Sequence, residues 1–423
     1  MKHWFLFIVF ILTLGVWGGA AAQEAPPLSP ALEAQLDRLI VETEALRSLP
    51  TLRPVERAFP TRAETIDYLR QLYATELTDG EVERARLFYA ALGLLPPTIN
   101  LRETLLDLLG GQIGGFYDTS TGVMNVIPMT RDNPGDGLTL TEQIVFVHEY
   151  VHALQDQHFG LDRLDDPALA LEPDAYLALL SLVEGDATAV MQLYAQDAIA
   201  RNPAAAFGLV LEGLASGTLF IPPGTPDILV RELLFPYEEG LNFVLALYLD
   251  GGWERVNAAF DNPPTTSAQI IDPAKYLAGI EAVSVEASPV SAEAVLGPGW
   301  RQAVELTVGE FYLREHLRTA IAARPARAAA AGWAGDRLQI FHQPATDAMA
   351  FLLRVIWEAP AEAAEFNQIY AEFAAAAFGA PTGDGCWTGA AGAACIAETK
   401  SAETLIAQAP TLDGARALRA AAA

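Results

Sequence analysis

The sequence predicts a mainly helical α+β protein, with a small sheet in its first half and a smaller α+β domain at its C-terminal end. Three observations carry this. Apolar residues recur at helical spacing through most of residues 29–261. A glycine-rich break at 110–115 precedes a short stretch of strand character. After residue 300, strand-like runs return between helices. The chain of 423 residues, 52% hydrophobic and 19% charged, is long and apolar enough to bury a large core.

Taken in order, Ser29-Pro30 gives an N-cap followed by proline at the first helical position. The helix it opens is expected over 31–49, with Leu32, Leu36, Leu39 and Ile40 on one face. Helices follow at 62–76, 79–94 and 101–109, and residues 115–128 read as two short strands around a turn. Helical pattern resumes at 139–158, 173–201, 204–215, 227–249 and 252–261. Pro263-Pro264 and the Pro- and Gly-bearing segment 283–299 mark a boundary. Beyond it we expect a helix at 301–323, strands at 337–342 and 349–356, a helix at 361–378, a strand at 398–409 and an alanine-rich final helix. The expected division is 1–22, a signal segment; 23–109, helical; 110–280, the domain with the chemistry; and 281–423, the α+β domain.

Acidic residues number 53 against 26 basic, for a net charge of −27, and Lys2, Lys275 and Lys400 are the only lysines. So negative a chain repels phosphate backbones and anionic lipid, which argues against a nucleic-acid partner. Lys2, the apolar run 4–17 and the small residues 18–22 read as a secretory signal with Gln23 as mature start; an uncleaved anchor is the alternative. Later segments contain no stretch long and apolar enough for a membrane span, so no stable insertion is expected after signal removal. The protein is expected in a periplasm, on the cell surface or outside the cell. In that oxidising setting Cys386 and Cys395 read as a disulfide across a short Gly- and Ala-rich loop, the alternative being two buried thiols.

The informative stretch is His148-Glu149-Tyr150-Val151-His152, an H-E-x-x-H pattern. Thr139 and Glu142 form a T-x-x-E capping box that opens its helix. Four residues along a helix turn through about 400°, so His148 and His152 share a face one turn apart and can bind one zinc ion. Glu149 is rotated by about 100°, beside the metal, where a carboxylate can take a proton from attacking water. With 6 histidines in 423 positions, chance predicts about 0.01 such patterns. Ordinary neutral imidazoles on an amphipathic helix are the bland alternative.

A catalytic zinc needs a third protein ligand. His158 has the spacing of the extended H-E-x-x-H-x-x-G-x-x-H motif, but Gln155 stands where that motif has its helix-breaking glycine. If the helix continues, His158 lies roughly 15 Å from His148 along the axis. Glu184 is the stronger candidate. It sits within apolar Leu180, Leu182, Val183, Ala187 and Val190, where a carboxylate needs a partner. Gly185 beside it suggests that another element approaches closely.

His148–His152 followed by a helix-borne Glu184 resembles the gluzincin branch of zinc metallopeptidases. The longer string from His148 to Phe159, with Glu184-Gly185-Asp186-Ala187, is similar to predicted exported bacterial metallopeptidases; the resemblance is specific over about 114–191. Gly332-Trp333-Ala334-Gly335-Asp336-Arg337 also looks like a segment of such proteins. The resemblance implies a zincin-like domain, Zn2+ held by His148, His152 and Glu184, Glu149 as catalytic base, and a peptide or protein substrate. It also implies an edge strand above the metal for substrate addition, for which 122–128 is the candidate; an ordinary core hairpin is the other reading. Gluzincins often carry an acidic residue four positions after the glutamate, orienting a histidine; here Thr188 stands there, with Asp186 a weaker substitute. Tyr237 either donates to a developing oxyanion or packs at an interface, and His316 and His342 are expected to be structural. The competing functions are a non-catalytic zinc-binding envelope scaffold that binds a partner, and a zinc hydrolase of non-peptide amides.

Overall fold

The computed structural model describes residues 28–112, 114–129, 131–204, 206, 221 and 224–422. The expected signal segment 1–22 and most of the expected helix 204–215 lie outside them. The fold is mixed α/β and mainly helical, 56% helix against 16% strand. No described helix is long and apolar enough to cross a membrane.

Up to residue 261 the described elements are α1 (Pro30–Arg47), β1 (Glu56–Ala58), α2 (Arg62–Glu76), α3 (Asp79–Ala91), α4 (Leu101–Gln112), β2 (Gly115–Asp118), β3 (Val123–Val126), α5 (Leu140–Phe159), α6 (Pro173–Arg201) and α7 (Asp227–Asp261). α7 is broken at Gly251 and Gly252, where the backbone leaves helical geometry. The described residues gather into two compact units: those within 28–78, 100–170 and 178–264 in the first; those within 79–99, 171–177 and 265–422 in the second. This division differs from the expected boundaries at 110 and 281. Most of the N-terminal helical region is part of the unit that carries the H-E-x-x-H helix.

In the first unit, Leu32, Leu36 and Leu39 of α1 join one core with Phe146, Val147, Val151 and Leu154 of α5, Met124 and Val126 of β3, and Ala187 and Val190 of α6. Apolar stripes at helical spacing meet there, as the sequence implies. α5 opens with the expected box: the Thr139 side chain accepts from the Glu142 N–H, and the Glu142 side chain accepts from the Thr139 N–H. Arg131 holds Glu142 at 2.7 Å.

The small sheet has the order β1-β3-β2, with β1 parallel to β3 and β2 antiparallel to it. The candidate edge strand at 122–128 therefore contains the middle strand, and among the described residues β2 is an outer strand. β1 was invisible in the sequence because it is three residues long and finds its partner far along the chain.

The second unit contains α8 (Ser267–Ile271), α9 (Pro273–Leu277), α10 (Ala292–Leu296), β4 (Arg301–Leu306), α11 (Gly309–Arg318), α12 (Ala323–Ala330), β5 (Trp333–Gln343), β6 (Ala348–Trp357), α13 (Pro360–Phe378), β7 (Cys386–Gly389), β8 (Gly392–Lys400), β9 (Glu403–Ala409) and α14 (Leu412–Ala422). Its antiparallel sheet runs β4-β5-β6-β9-β8-β7. Cys386 and Cys395 are bonded, directly opposite each other on β7 and β8.

Two expectations fail here. The helix expected over 301–323 is strand β4 followed by α11 and the start of α12. Val304 and Leu306 alternate inward against β5, and Gly309 (φ 75°) breaks the chain between strand and helix. The single strand expected over 398–409 is the hairpin β8–β9. Trp333–Arg337 gains a role in this unit: the Asp336 carboxylate accepts from the N–H groups of Val308 and Gly309, at 2.7 and 2.8 Å, and from Trp333 Nε1 at 2.6 Å. It thereby caps α11. Burial lifts the Asp336 carboxyl to about 6 despite these donors.

Candidate metal centre

α5 is an unbroken helix, so His148 and His152 project one turn apart from the same face, as the spacing implies. α6 supplies Glu184. Its position depends on a close crossing: a Cβ added to Gly185 would lie 2.2 Å from the Gly240 carbonyl oxygen, and one added to Gly240 would lie 2.2 Å from the Ser181 carbonyl oxygen. Backbone meets backbone where α6 and α7 cross, which answers why a glycine stands in the interior of α6.

The three donors converge. His148 Nε2 lies 3.0 Å from Glu184 Oε2 and 3.1 Å from His152 Nε2. His152 Nε2 lies 3.6 Å from the same carboxylate oxygen. Tetrahedral zinc bonds of 2.0–2.1 Å place neighbouring ligand atoms about 3.3 Å apart, so the triangle matches one face of such a site. Glu184 is fully buried and His152 2% exposed, while His148 and Glu149 keep 7% each, which puts the solvent side of the cluster at those two residues.

The electrostatics lead to the same residues. Burial disfavours ionisation of Glu184, but His152 and His148 outweigh it and bring the carboxyl to about 2. Burial also disfavours the His152 cation, and the Glu184 charge outweighs that in turn, raising it to about 9. Buried imidazole and carboxylate thus compete for one positive charge, a place that a divalent cation can take. Among the described residues, Glu184 Oε1 and His148 Nδ1 have no hydrogen-bond partner.

Glu149 stands beside the three donors without joining their cluster. Burial raises its carboxyl, while His148 and His152 oppose the rise; the Tyr117 N–H also favours its charged form. β2 can approach because residue 115 is glycine: a Cβ there would sit 3.0 Å from Glu149 Cγ and 2.9 Å from the Asn125 carbonyl oxygen. Gly114 O accepts from Ile127 N, so the strand alternation turns the Tyr117 N–H away from β3, towards Glu149.

Tyr237, one turn before Gly240 on α7, stacks on His148 with ring centres 5.9 Å apart. Burial first, then the Glu184 and Glu149 carboxylates, push its phenol well above its ordinary value. Its place is therefore beside the three donors.

His158 is not among the converging donors. α5 continues to Phe159, and His158 Nε2 bonds the Pro50 carbonyl oxygen at 2.7 Å. Thr188 orients no histidine, since its buried hydroxyl has no partner. Gln155 does: its Oε1 lies 2.8 Å from His152 Nδ1, and its Nε2 donates to Val183 O at 2.9 Å and Asp186 Oδ2 at 2.8 Å. Sequence reasoning treated Gln155 only as a helix former. Its spacing of three from His152, on the same helix face, was the signal available.

Among the described residues one further group has metal-binding spacing, Glu83, His342 and Asp347 in the second unit. Arg86 already pairs with both acids there, at 2.7 and 2.8 Å, and supplies the positive charge.

Residues 298–419 match a family model described as a domain of unknown function, DUF8575. That match lies in the second unit and does not include His148, His152 or Glu184. No curated protein and no solved structure matches the chain.

Proposed function

We propose that the protein is an exported zinc-dependent metallopeptidase of the gluzincin kind, hydrolysing peptide bonds with Glu149 as general base. One observation carries the reading: among the described residues three buried donors converge, rather than four, and a buried carboxylate that is not one of them stands alongside. A structural zinc takes four protein ligands, and a catalytic zinc takes three and leaves a position open. His148, His152 and Glu184 would hold the ion, and zinc suits two imidazoles and a carboxylate. When bound, it would supply Lewis acidity towards the substrate carbonyl and lower the pKa of the attacking water.

The remaining steps belong to the chain. Glu149, its carboxyl raised by burial, accepts the proton of the attacking water and then delivers it to the leaving nitrogen. Tyr237 offers a phenol donor to the developing oxyanion from the side of His148. In the zincin-like arrangement, β2, the strand packed beside Glu149, would take the place of the edge strand. Export is supported by the apolar run 4–17 and by the Cys386–Cys395 disulfide.

The test is metal analysis of the purified chain together with a peptide panel, run on the native sequence and on Glu149→Gln. The native protein should bind one zinc and cleave peptides; the variant should keep zinc and lose about 10²–10⁴-fold in kcat. Cleavage that survives Glu149→Gln, or a chain that takes up no zinc, defeats the reading. Zinc bound with no substrate cleaved points instead to a scaffold.

A further inference from the structure

We infer that Arg47, Asp186 and Gln155 form a buried positioning relay that fixes His152 for the metal and makes helix α1 a working part of the metal centre. The inference rests on the zinc-site reading above and goes beyond it, because none of these residues is a ligand.

The donor and acceptor order leaves one arrangement. Asp186 Oδ2 and Val183 O can only accept, so the Gln155 side chain must turn its NH2 group to them. Its Oε1 then faces His152 Nδ1 at 2.8 Å. Since that oxygen can only accept, Nδ1 carries the hydrogen and Nε2 keeps a lone pair for a cation. The far end of the relay is held as firmly. Arg47 Nε stands 2.7 Å from Asp186 Oδ1, an ion pair with neither side chain exposed, although it is not aligned as a hydrogen bond. Arg47 Nη2 donates to Asn257 Oδ1 at 2.8 Å, and the guanidinium lies 4.6 Å from the centre of the Trp253 ring. Gln155, Asp186 and Arg47 are all fully buried.

Arg47 is the last residue of α1, so the N-terminal helix reaches a ligand histidine through two intermediates. His148, whose Nδ1 has no partner, receives no comparable support. The carboxylate that the gluzincin resemblance led us to seek in direct contact with a histidine acts here at one remove.

A merely structural Arg47–Asp186 pair would not require this polarity at position 155, and the test exploits that difference. Zinc affinity is measured in the full chain by competition with a chromogenic chelator, with circular dichroism to establish folding. Gln155→Glu sets two carboxylates against each other, and Asp186→Asn removes the acceptor's charge; each should weaken zinc binding about 10–100-fold. The double variant Gln155→Glu/Asp186→Asn restores the order, with an amide donating to a carboxylate that accepts from His152, and should recover most of the loss. Arg47→Met should weaken zinc binding in the same range. If it does not fold, Arg47→Met/Asp186→Asn removes both buried charges and supplies the measurement. Single variants that bind zinc as tightly as the native chain, or a double variant weakened by the product of the two singles, overturn the relay while leaving the zinc reading intact. A native chain that takes up no zinc overturns both.

Discussion

Glu149 is held by the helix turn that carries the histidines, and Tyr237 is brought onto the His148 ring by α7. Their roles separate kinetically. Tyr237→Phe keeps the ring that stacks on His148 and removes only the hydroxyl. Steady-state kinetics should show kcat falling about 10²–10³-fold with KM and zinc content little changed; an unchanged kcat would assign the residue to packing. A second residue-scale effect lies in the second unit, where Asp174 is bonded to Ser267 and fully buried in apolar surroundings. Burial, with Asp336 adding to it against the Ser267 bonds, raises its carboxyl from 3.8 to about 8. The folded protein therefore holds this proton more tightly than the unfolded chain does. The contribution to stability is complete below about pH 4 and is lost as pH rises towards 8. Asp174→Asn should flatten that decline, so that its stability relative to the native chain is higher at pH 8 than at pH 5 in denaturant titrations.

At the scale of elements, the α6–α7 crossing decides whether a site exists. Gly185 lies next to the proposed ligand Glu184, and Gly240 lies one turn after Tyr237, so the contact that excludes any Cβ also draws these two side chains together. Gly185→Ala should push the helices apart, costing about 1–3 kcal/mol of stability in thermal or denaturant unfolding. Zinc affinity should fall with it, because Glu184 moves away from His148 and His152. If the variant keeps native stability and zinc affinity, the close approach matters for neither. The extra residues of the second unit's sheet follow a similar logic. β4 alternates inward at Val304 and Leu306, and the Gly309 turn and the Asp336 cap end the strand and start the helix that its sequence would otherwise have joined.

For the molecule as a whole, the compact units interleave along the chain. The first needs α1: Leu32, Leu36 and Leu39 lie in the core that holds α5, and Arg47 pairs with Asp186. A chain beginning at residue 110, the expected start of the catalytic domain, should fail to form that core, which circular dichroism and zinc uptake would show. If it folded and bound zinc normally, the N-terminal helices would be accessory. The second unit depends likewise on distant segments, since Asp174 bonds Ser267 and Arg86 reaches Asp347. Such dependence arises because a core is selected by complementary surfaces, whatever their order in sequence.

Where the evidence was a spacing on one continuous element, reading the chain was enough. The capping box at Thr139, the shared face of His148 and His152, the glycine signalling a close neighbour and the short disulfide loop all depend on geometry that successive residues impose locally. What escaped were relations between elements: the three-residue β1, the central place of β3, the strand at 301–306, and the joining of Arg47, Asp186 and Gln155 behind His152. No local pattern encodes these, because strand order and buried polar partners are chosen when surfaces far apart in the chain pack together. An arginine at the end of an amphipathic helix and a glutamine one turn after a histidine look ordinary until folding removes the water around both and leaves each needing the partner that the other elements bring.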